Sequence, residues 1–392
     1  MAAESTSRYR RRDVLRVTTA AAATSVGVTC ARGATVDTPD GGGSVPVPIG
    51  RATMVEPDPD VGFHHPYVLY EPERGYETPR PLFLHPLNDV AVSTDEERRS
   101  HLREAVRSDL FGIARDLGLP GLVPGFPRTP NDGGDRVQSL SLPTHRSETT
   151  LERLATDAFP AESLRRVDRQ TVAMLEDARE RLTGTYPLTD RVHMTGFSSS
   201  AQFAARFAFL YPDRVDAISV GGNGAYPLPR ASLGGTRLPY PLGTADYRAV
   251  TGREFDRETW TETAQYVYVG RQDQPLPETD ERGYYPVSYR DRETAVAVFG
   301  RNRVTERLPV TESVYREAGA DPTVRVYDGV RHTIDRKMVR DVREFHRENA
   351  SLPDGDATGV WRLALPAAAT LASLGVLGAG LYLVGRLSGD DV

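Results

Sequence analysis

The stretch RVHMTGFSSSAQFAARFAFLYPDR, residues 191–214, decides the fold. Its first part, VHMT, is typical of a short strand, and Ser200–Leu210 is predicted to be a helix. A glycine, a phenylalanine and three serines lie across the junction between them. A tight strand-to-helix turn requires small residues two positions before and two positions after its apex. Gly196 and Ser200 meet that requirement around Ser198.

Ser198, at the apex of such a turn, is a candidate nucleophile. The turn exposes its hydroxyl above the carboxyl edge of the sheet, where the start of the following helix and the Ser199 N–H can stabilise a developing oxyanion. A Gly-x-Ser-x-Ser match by itself is more typical of an ordinary turn. The interpretation therefore depends on the rest of the chain.

Two further side chains complete a catalytic constellation in the chain order Ser, Asp, His. Asp273 follows the predicted strand QYVYV and lies in the sequence GRQD. His332 follows the predicted strand TVRVYD and lies in the sequence GVRH. Both residues are thus expected on loops at the carboxyl ends of strands, the same edge as Ser198. We predict that His332 is the base and that Asp273 orients it.

Three other carboxylates lie near these positions in the sequence. Glu278 and Asp280 compete for the role of the acid, although they lie farther from the end of the strand. Asp335 follows His332 by about one helical turn, and it is better placed to cap or charge the start of the last helix.

A second backbone donor for an oxyanion is expected on a loop that follows an earlier strand. LFLHPLND, residues 82–89, is the best candidate for that strand and loop. There the backbone N–H of Leu87 or Asn88 would point at the site. Together with Ser199, these positions form the predicted oxyanion hole.

Predicted strands and helices alternate around these motifs. The helices are expected at 96–117, 165–182, 200–210 and 335–348, and the strands at 81–85, 120–128, 192–195, 215–222, 265–270 and 323–329. This alternation predicts a mostly parallel central sheet with helices on both faces.

Two further segments are interpreted separately from these predicted strands and helices. FHHPYVLYEPE is predicted to be the N-terminal strand of the sheet, with His64 or His65 available to a pocket. Residues 223–263 have no clear periodicity and are rich in Gly, Pro, Tyr and Arg, which indicates a lid inserted between two strands. Its aromatic residues are candidates either for a substrate pocket or for packing: Tyr226, Tyr240, Tyr247 and Trp260.

The composition is that of a globular protein, with 26% charged residues, 39% hydrophobic residues and a net charge of -6. It does not favour nucleic-acid binding or disorder. The single cysteine, Cys30, excludes an intramolecular disulfide. No cofactor and no metal site is predicted, because His64 and His65 are adjacent and no His-x-x-x-His pair occurs.

The N-terminal residues 1–34 resemble a twin-arginine export signal. Arg11 and Arg12 precede an apolar pair and a basic residue, and Val17–Val28 is a short, weakly apolar run. A disordered basic tail is the alternative interpretation. The export signal predicts that the catalytic domain lies outside the cell.

The C-terminal residues 363–385 carry no charge and are flanked by Arg362 and Arg386. A run of this length is predicted to form a transmembrane helix, which would attach the protein to the membrane. Two Gly- and Pro-containing linkers, at 35–50 and 350–362, separate the two ends of the chain from one folded segment at 51–349.

The whole pattern resembles the α/β-hydrolase superfamily, and residues 191–224 are similar in particular to its secreted esterases and polyester depolymerases. The resemblance covers about residues 81–348. It implies a catalytic triad and an acyl-enzyme mechanism, in which Ser198 attacks the carbonyl of a small-molecule or polymeric ester. His332 would take and return the proton, and Asp273 would orient His332.

This chain departs from the family pattern in three places. The second glycine of the elbow is Ser200, His85-Pro86-Leu87 stands where many lipases and esterases have His-Gly-Gly, and the cysteine pairs of many secreted relatives are missing. Two alternatives stay open: a peptidase of the same fold, and an inactive surface-binding domain. The sequence does not predict the oligomeric state.

Overall fold

The computed structural model describes residues 50–88, 91–129, 148–273, 292–350 and 352. The predicted export signal, the predicted membrane helix, and Glu278 and Asp280 all lie outside these residues, as does nearly all of both linkers. Among the residues that the structure describes, no helix combines the length and the apolar character needed to cross a membrane.

A central sheet of eight strands organises the described part of the chain. Its strands are β1 Arg51–Val55, β2 Tyr67–Glu71, β3 Phe83–Leu84, β4 Gly121–Pro124, β5 Val192–Phe197, β6 Val215–Gly221, β9 Ala264–Gly270 and β10 Thr323–Tyr327. A separate hairpin contains β7 Ser232–Leu233 and β8 Thr236–Arg237. The spatial order is β1-β2-β4-β3-β5-β6-β9-β10. Only β2 runs against the other strands of this sheet, so the predicted mostly parallel sheet is confirmed.

Helices cover both faces of this sheet. They are α1 Asp95–Ala105, α2 Asp109–Leu117, α3 Glu148–Leu154, α4 Val167–Leu182, α5 Ser199–Leu210, α6 Tyr247–Thr251, α7 Arg257–Glu262, α8 Arg292–Phe299, α9 Leu308–Ala318 and α10 Arg336–Asn349. Successive side chains of β9 point to opposite faces of the sheet, so their neighbours identify the helices on each face. Val267 and Val269 pack with α4 and α5, whereas Tyr266 and Tyr268 pack with α2 and α10.

The single helix predicted at 96–117 is wrong, because the structure contains two helices there. The side chain of Ser108 accepts a hydrogen bond from the backbone N–H of Phe111 and caps the start of α2. Such a local bond competes with continuation of the preceding helix. The apolar spacing continues across the break, which explains why periodicity alone predicted one helix.

The segment FHHPYVLYEPE, predicted to be the N-terminal strand of the sheet, forms β2, which is the second strand along the chain. β1 precedes it and pairs antiparallel with it, from Arg51 opposite Glu71 to Val55 opposite Tyr67. His65 lies before β2 and is buried, with Nε2 2.8 Å from the Ser163 carbonyl oxygen. The His65 ring therefore takes part in packing.

Candidate active site

A strained turn presents the side chain of Ser198. Its backbone has φ 59° and ψ −118°, and Arg166 is the only other non-glycine residue with positive φ in the described part of the chain. A residue other than glycine adopts this region at a cost, and such strain clusters at functional sites. The Ser198 N–H donates to the Gly221 carbonyl 2.8 Å away, which fixes the turn against β6.

Small residues around Ser198 allow this turn for two different reasons. A Cβ atom at Gly196 would lie 2.4 Å from the carbonyl carbon and oxygen of Ser200, so no larger residue fits. Ser200 itself is accommodated because its hydroxyl spans the turn. It accepts from the Phe197 N–H at 2.8 Å and donates to the Phe197 carbonyl at 2.9 Å.

We expect Gly196→Ala to destabilise the protein by about 1–3 kcal/mol, because the new methyl group overlaps backbone that cannot rotate away. It should also lower kcat for ester hydrolysis by about 10²-fold, since the displaced turn carries Ser198, the predicted nucleophile. Thermal unfolding and ester hydrolysis would measure the two effects. Gly75→Ala is the matched control, because a Cβ atom there meets nothing closer than 3.6 Å. Equal values for the two variants would contradict this account of the turn.

The three predicted catalytic side chains meet at one edge of the sheet. Nε2 of His332 lies 2.9 Å from Oγ of Ser198, and Nδ1 of His332 lies 2.9 Å from Oδ2 of Asp273. The Asp273 side chain is 1% exposed, while that of His332 is 28% exposed. In the tautomer whose Nδ1–H donates to the carboxylate, Nε2 is the ring atom that can accept the serine proton.

Strand register brings the acid and the base together. β9 and β10 are parallel, and their last residues, Gly270 and Tyr327, lie opposite each other. The two loops that follow are bound to each other, because the Gln272 N–H donates to the Val330 carbonyl at 2.9 Å. A Cβ atom at Gly270 would lie 2.2 Å from that carbonyl oxygen, so the close approach of the loops requires glycine.

The structure also brings together two of the three predicted oxyanion-hole residues. Asn88 lies on the loop after β3, and its Oδ1 accepts a hydrogen bond from Oγ of Ser199 at 2.9 Å. Leu87 is partly buried against the apolar cluster formed by β2, β4, α1 and α2. Nδ1 of His85 lies 3.2 Å from the Thr195 carbonyl oxygen, and this hydrogen bond ties the loop to β5.

Arg303 is a residue of the site that sequence reasoning missed. Its Nη1 donates to Oδ1 of Asp273 and lies 3.0 Å from Nδ1 of His332. The side chain of Arg303 is 4% exposed. The residue begins a π-helical turn, Arg303–Arg307. The surrounding sequence, RNRVTER, looks like a charged surface segment in an arginine-rich chain. No local signal distinguishes this arginine from the others.

The aromatic residues of 223–263 divide into two groups. The hydroxyl of Tyr247 donates to the Phe209 carbonyl at 3.1 Å, at the far end of α5. Phe209 lies about 15 Å along that helix from its start beside Ser198, at 1.5 Å per residue. Trp260 packs edge-to-face on Tyr315, with ring centroids 4.8 Å apart.

Tyr226 differs from these aromatic residues because it lies within the electrostatic reach of the site. Burial raises the pKa of Tyr226, and the charges of Arg303 and Asp273 both act on it. Its side chain is 3% exposed. Among the four aromatic candidates, Tyr226 is thus the one whose pKa is affected by the charges of Asp273 and Arg303.

Sequence comparisons identify no relatives of this chain, since no family model and no curated protein matches it. Solved structures are similar at low identity. Poly(aspartic acid) hydrolase-1 from Sphingomonas sp. KT-1 is 16% identical, with 76% of this chain and 98% of that chain covered and a TM-score of 0.47. An arylesterase is 10% identical, with 78% and 86% covered and a TM-score of 0.40. An S-formylglutathione hydrolase from Agrobacterium tumefaciens is 14% identical, with 76% and 94% covered and a TM-score of 0.39.

The fold of the described residues is similar to the α/β-hydrolase fold. The order of its own strands, the single reversed strand β2 and the strained elbow between β5 and α5 support this assignment. Because one fold hosts many activities, the chemistry depends on the residues of the site.

Proposed function

We propose that the protein is a serine hydrolase that cleaves a carboxylic ester through an acyl-enzyme intermediate. One observation carries the proposal: the imidazole of His332 lies 2.9 Å from both the Ser198 hydroxyl and the Asp273 carboxylate. A strained elbow presents the same hydroxyl.

In the proposed acylation step, His332 takes the hydroxyl proton while Oγ of Ser198 bonds to the ester carbonyl carbon. The carbonyl π electrons move to its oxygen, which becomes an oxyanion beside the start of α5. The oxyanion then collapses, the bond to the alcohol oxygen breaks, and His332 returns its proton to that oxygen. Water repeats the sequence on the acyl-enzyme and releases the acid.

Asp273 contributes by orientation and by charge. Its buried carboxylate accepts from Nδ1 of His332, so that Nε2 faces Ser198. The same carboxylate stabilises the imidazolium that forms in each proton transfer. Substrate would reach the serine on the exposed side of His332, whose side chain is 28% exposed.

The proposed location is outside the cell and attached to the membrane. Residues 1–34 would direct export in the folded state, and residues 363–385 would anchor the chain. An ester hydrolase held in this way would act on small or polymeric esters at the cell surface.

Labelling by a fluorophosphonate probe tests the proposal. We expect the full-length protein to be labelled, and peptide mass mapping to place the adduct on Ser198 rather than on the adjacent serines. Heat-denatured protein is the control, because labelling requires the assembled triad. Parallel assays with p-nitrophenyl esters and p-nitroanilides should show turnover of the esters only. Folded protein without labelling would rule out the hydrolase, and faster turnover of the anilides would favour a peptidase.

A further inference from the structure

We propose that a pocket at the edge of the central sheet binds a long-chain carboxylate, the anion of a fatty acid. Four side chains of β1 and β2 line this pocket, together with four residues of α1, α2 and the turn between them, and we call it the edge pocket. Its volume is about 690 Å³, within the range of roughly 300–1,000 Å³ that is usual for small-molecule sites. None of the lining residues belongs to the predicted catalytic site, so the inference goes beyond the proposed hydrolase function.

The floor of the edge pocket is apolar. β1 is the first strand in the order of the sheet, and it pairs with β2 so that Ala52 lies opposite Tyr70 and Met54 opposite Val68. Since alternate residues of a strand share a face, these four side chains lie on one face of the sheet edge. Val68 and Tyr70 are each 3% exposed. Val106, directly after α1, packs against the same apolar cluster and lines the pocket from the helix side.

The edge pocket is cationic, although the chain has a net charge of -6. Its described lining contains three arginines and no carboxylate. Arg107 is exposed, and Arg103 forms an ion pair with Glu96 at 3.0 Å in which both side chains are more than half exposed. Such a surface pair contributes little, so a ligand can compete for the arginine. Arg115 donates one hydrogen bond to the Val106 carbonyl, and its guanidinium has five N–H donors.

The apolar floor and the arginines together select the class of ligand. A guanidinium binds a carboxylate through two parallel hydrogen bonds. Apart from the arginines and Tyr70, the described lining contains no polar side chain, so it offers no partners for polar groups elsewhere on a ligand. A carboxylate with one long alkyl chain matches both parts of the pocket.

The apolar side chains of the edge pocket are recessed, which favours a single bound chain over contact with a bilayer. Among the residues that the structure describes, Val61 is the only large hydrophobic side chain that is exposed, and it does not line the pocket. A surface that docks on a membrane through apolar contacts presents such side chains outward. The fatty carboxylate would therefore enter from solution, with its chain on the floor and its head at the arginines.

Photolabelling of the full-length protein tests the site. The probe is palmitate that carries a diazirine in its chain, and peptide mass mapping locates the adducts. Trypsin releases residues 52–74 as one peptide, which contains all four strand side chains of the floor. We expect adducts in this peptide, and about tenfold fewer with the matching diazirine alcohol, which lacks the anionic head. Excess decanoate should compete, whereas acetate, which has no chain, should not.

Two variants separate recognition of the head from recognition of the chain. Arg103→Gln/Arg107→Gln should reduce labelling of residues 52–74 by about tenfold, because it removes two of the three cations. Ala52→Phe should abolish the labelling, because the new ring fills the floor. All three positions are exposed, so the variants are expected to keep the parental melting temperature.

Arg248→Gln is the matched control, because Arg248 is exposed on α6 and its described ion pair is with Glu254 at 3.1 Å. Ser198→Ala should be labelled like the parent, so that the result is independent of the hydrolase proposal. Equal labelling of residues 52–74 by the acid and the alcohol would overturn the inference. So would the absence of adducts in this peptide, or parental labelling in folded Arg103→Gln/Arg107→Gln and Ala52→Phe.

Discussion

Replacing Ser198 by alanine is expected to lower kcat for ester hydrolysis by about 10⁴-fold or more, and to abolish labelling by a fluorophosphonate. The reason is that the hydroxyl bound to Nε2 of His332 is the only one at the apex of the turn. Ser199 and Ser200 cannot replace it. Their hydroxyls are bound to Asn88 and to the Phe197 backbone.

Steady-state kinetics of purified, folded variants would measure the effect. Ser313→Ala is the control, because Ser313 lies exposed on α9 and bonds only to Glu317 among the described contacts. Ser199→Ala is a useful comparison, since it removes the bond to Asn88 and should reduce activity by far less than Ser198→Ala. A folded Ser198→Ala variant that keeps parental kcat would refute the assignment of the nucleophile.

Acid is expected to destabilise the protein steeply below about pH 6.5, because four described histidines are buried in the neutral form. They are His65, His85, His193 and His346, each 5% exposed or less. Burial lowers the pKa of every one of them, to about 3 for His65 and about 4 for His85. The neighbouring Arg98 adds to the lowering at His65, and His193 adds to it at His346.

The direction of the pH dependence follows from these lowered values. The unfolded chain takes up protons near pH 6.5, whereas the folded protein does not, so the stabilisation is fully present above about pH 6.5. It is lost as the pH falls toward the lowered pKa values. A histidine that stays neutral in the folded protein contributes about 1.4 kcal/mol per pH unit. For His65 and His85, whose pKa values are lowered to about 3 and about 4, the two contributions sum to about 5 kcal/mol over two pH units. That sum is comparable with the whole stability of a marginally stable domain, about 5–15 kcal/mol.

Denaturant unfolding at several pH values between 7.5 and 5 would measure this slope. His65→Gln should reduce it by about 1.4 kcal/mol per pH unit, because the amide replaces the ring's hydrogen bonds without titrating. His64→Gln is the matched control at the adjacent position, where the side chain is only partly buried. The same slope in the parent and in both variants would contradict the prediction.

Much of the candidate site could be predicted from sequence because its parts are local. The elbow needs small residues at fixed positions around Ser198, and such a constraint is visible within a few residues. Asp273 and His332 each follow a strand of apolar residues, and parallel strands place the loops after them at one edge. The spacing in the chain did not matter. Ser198 and His332 are 134 residues apart and still form a hydrogen bond.

Other features depend on contacts that no local pattern records. Ser108 divides one apolar period into two helices through a single side-chain bond. β1 is recognisable as a strand only through its pairing with β2, because its residues are mostly exposed or half-buried. The aromatic residues of 223–263 look alike in sequence. Tyr247 nevertheless packs at the far end of α5, whereas the charges of Arg303 and Asp273 act on the hydroxyl of Tyr226.

By itself, the sequence determined the alternation of strands and helices, the elbow, and the order of the three catalytic candidates, because short-range sterics and periodicity control these features. Only the tertiary structure decided the surroundings of these three candidates. The bond between Ser199 and Asn88 joins residues 111 positions apart, and the contact of Arg303 with Asp273 spans 30 positions. The side chain of an arginine is long and flexible and can reach many different partners. Which partner it contacts depends on which groups the folded chain buries beside it.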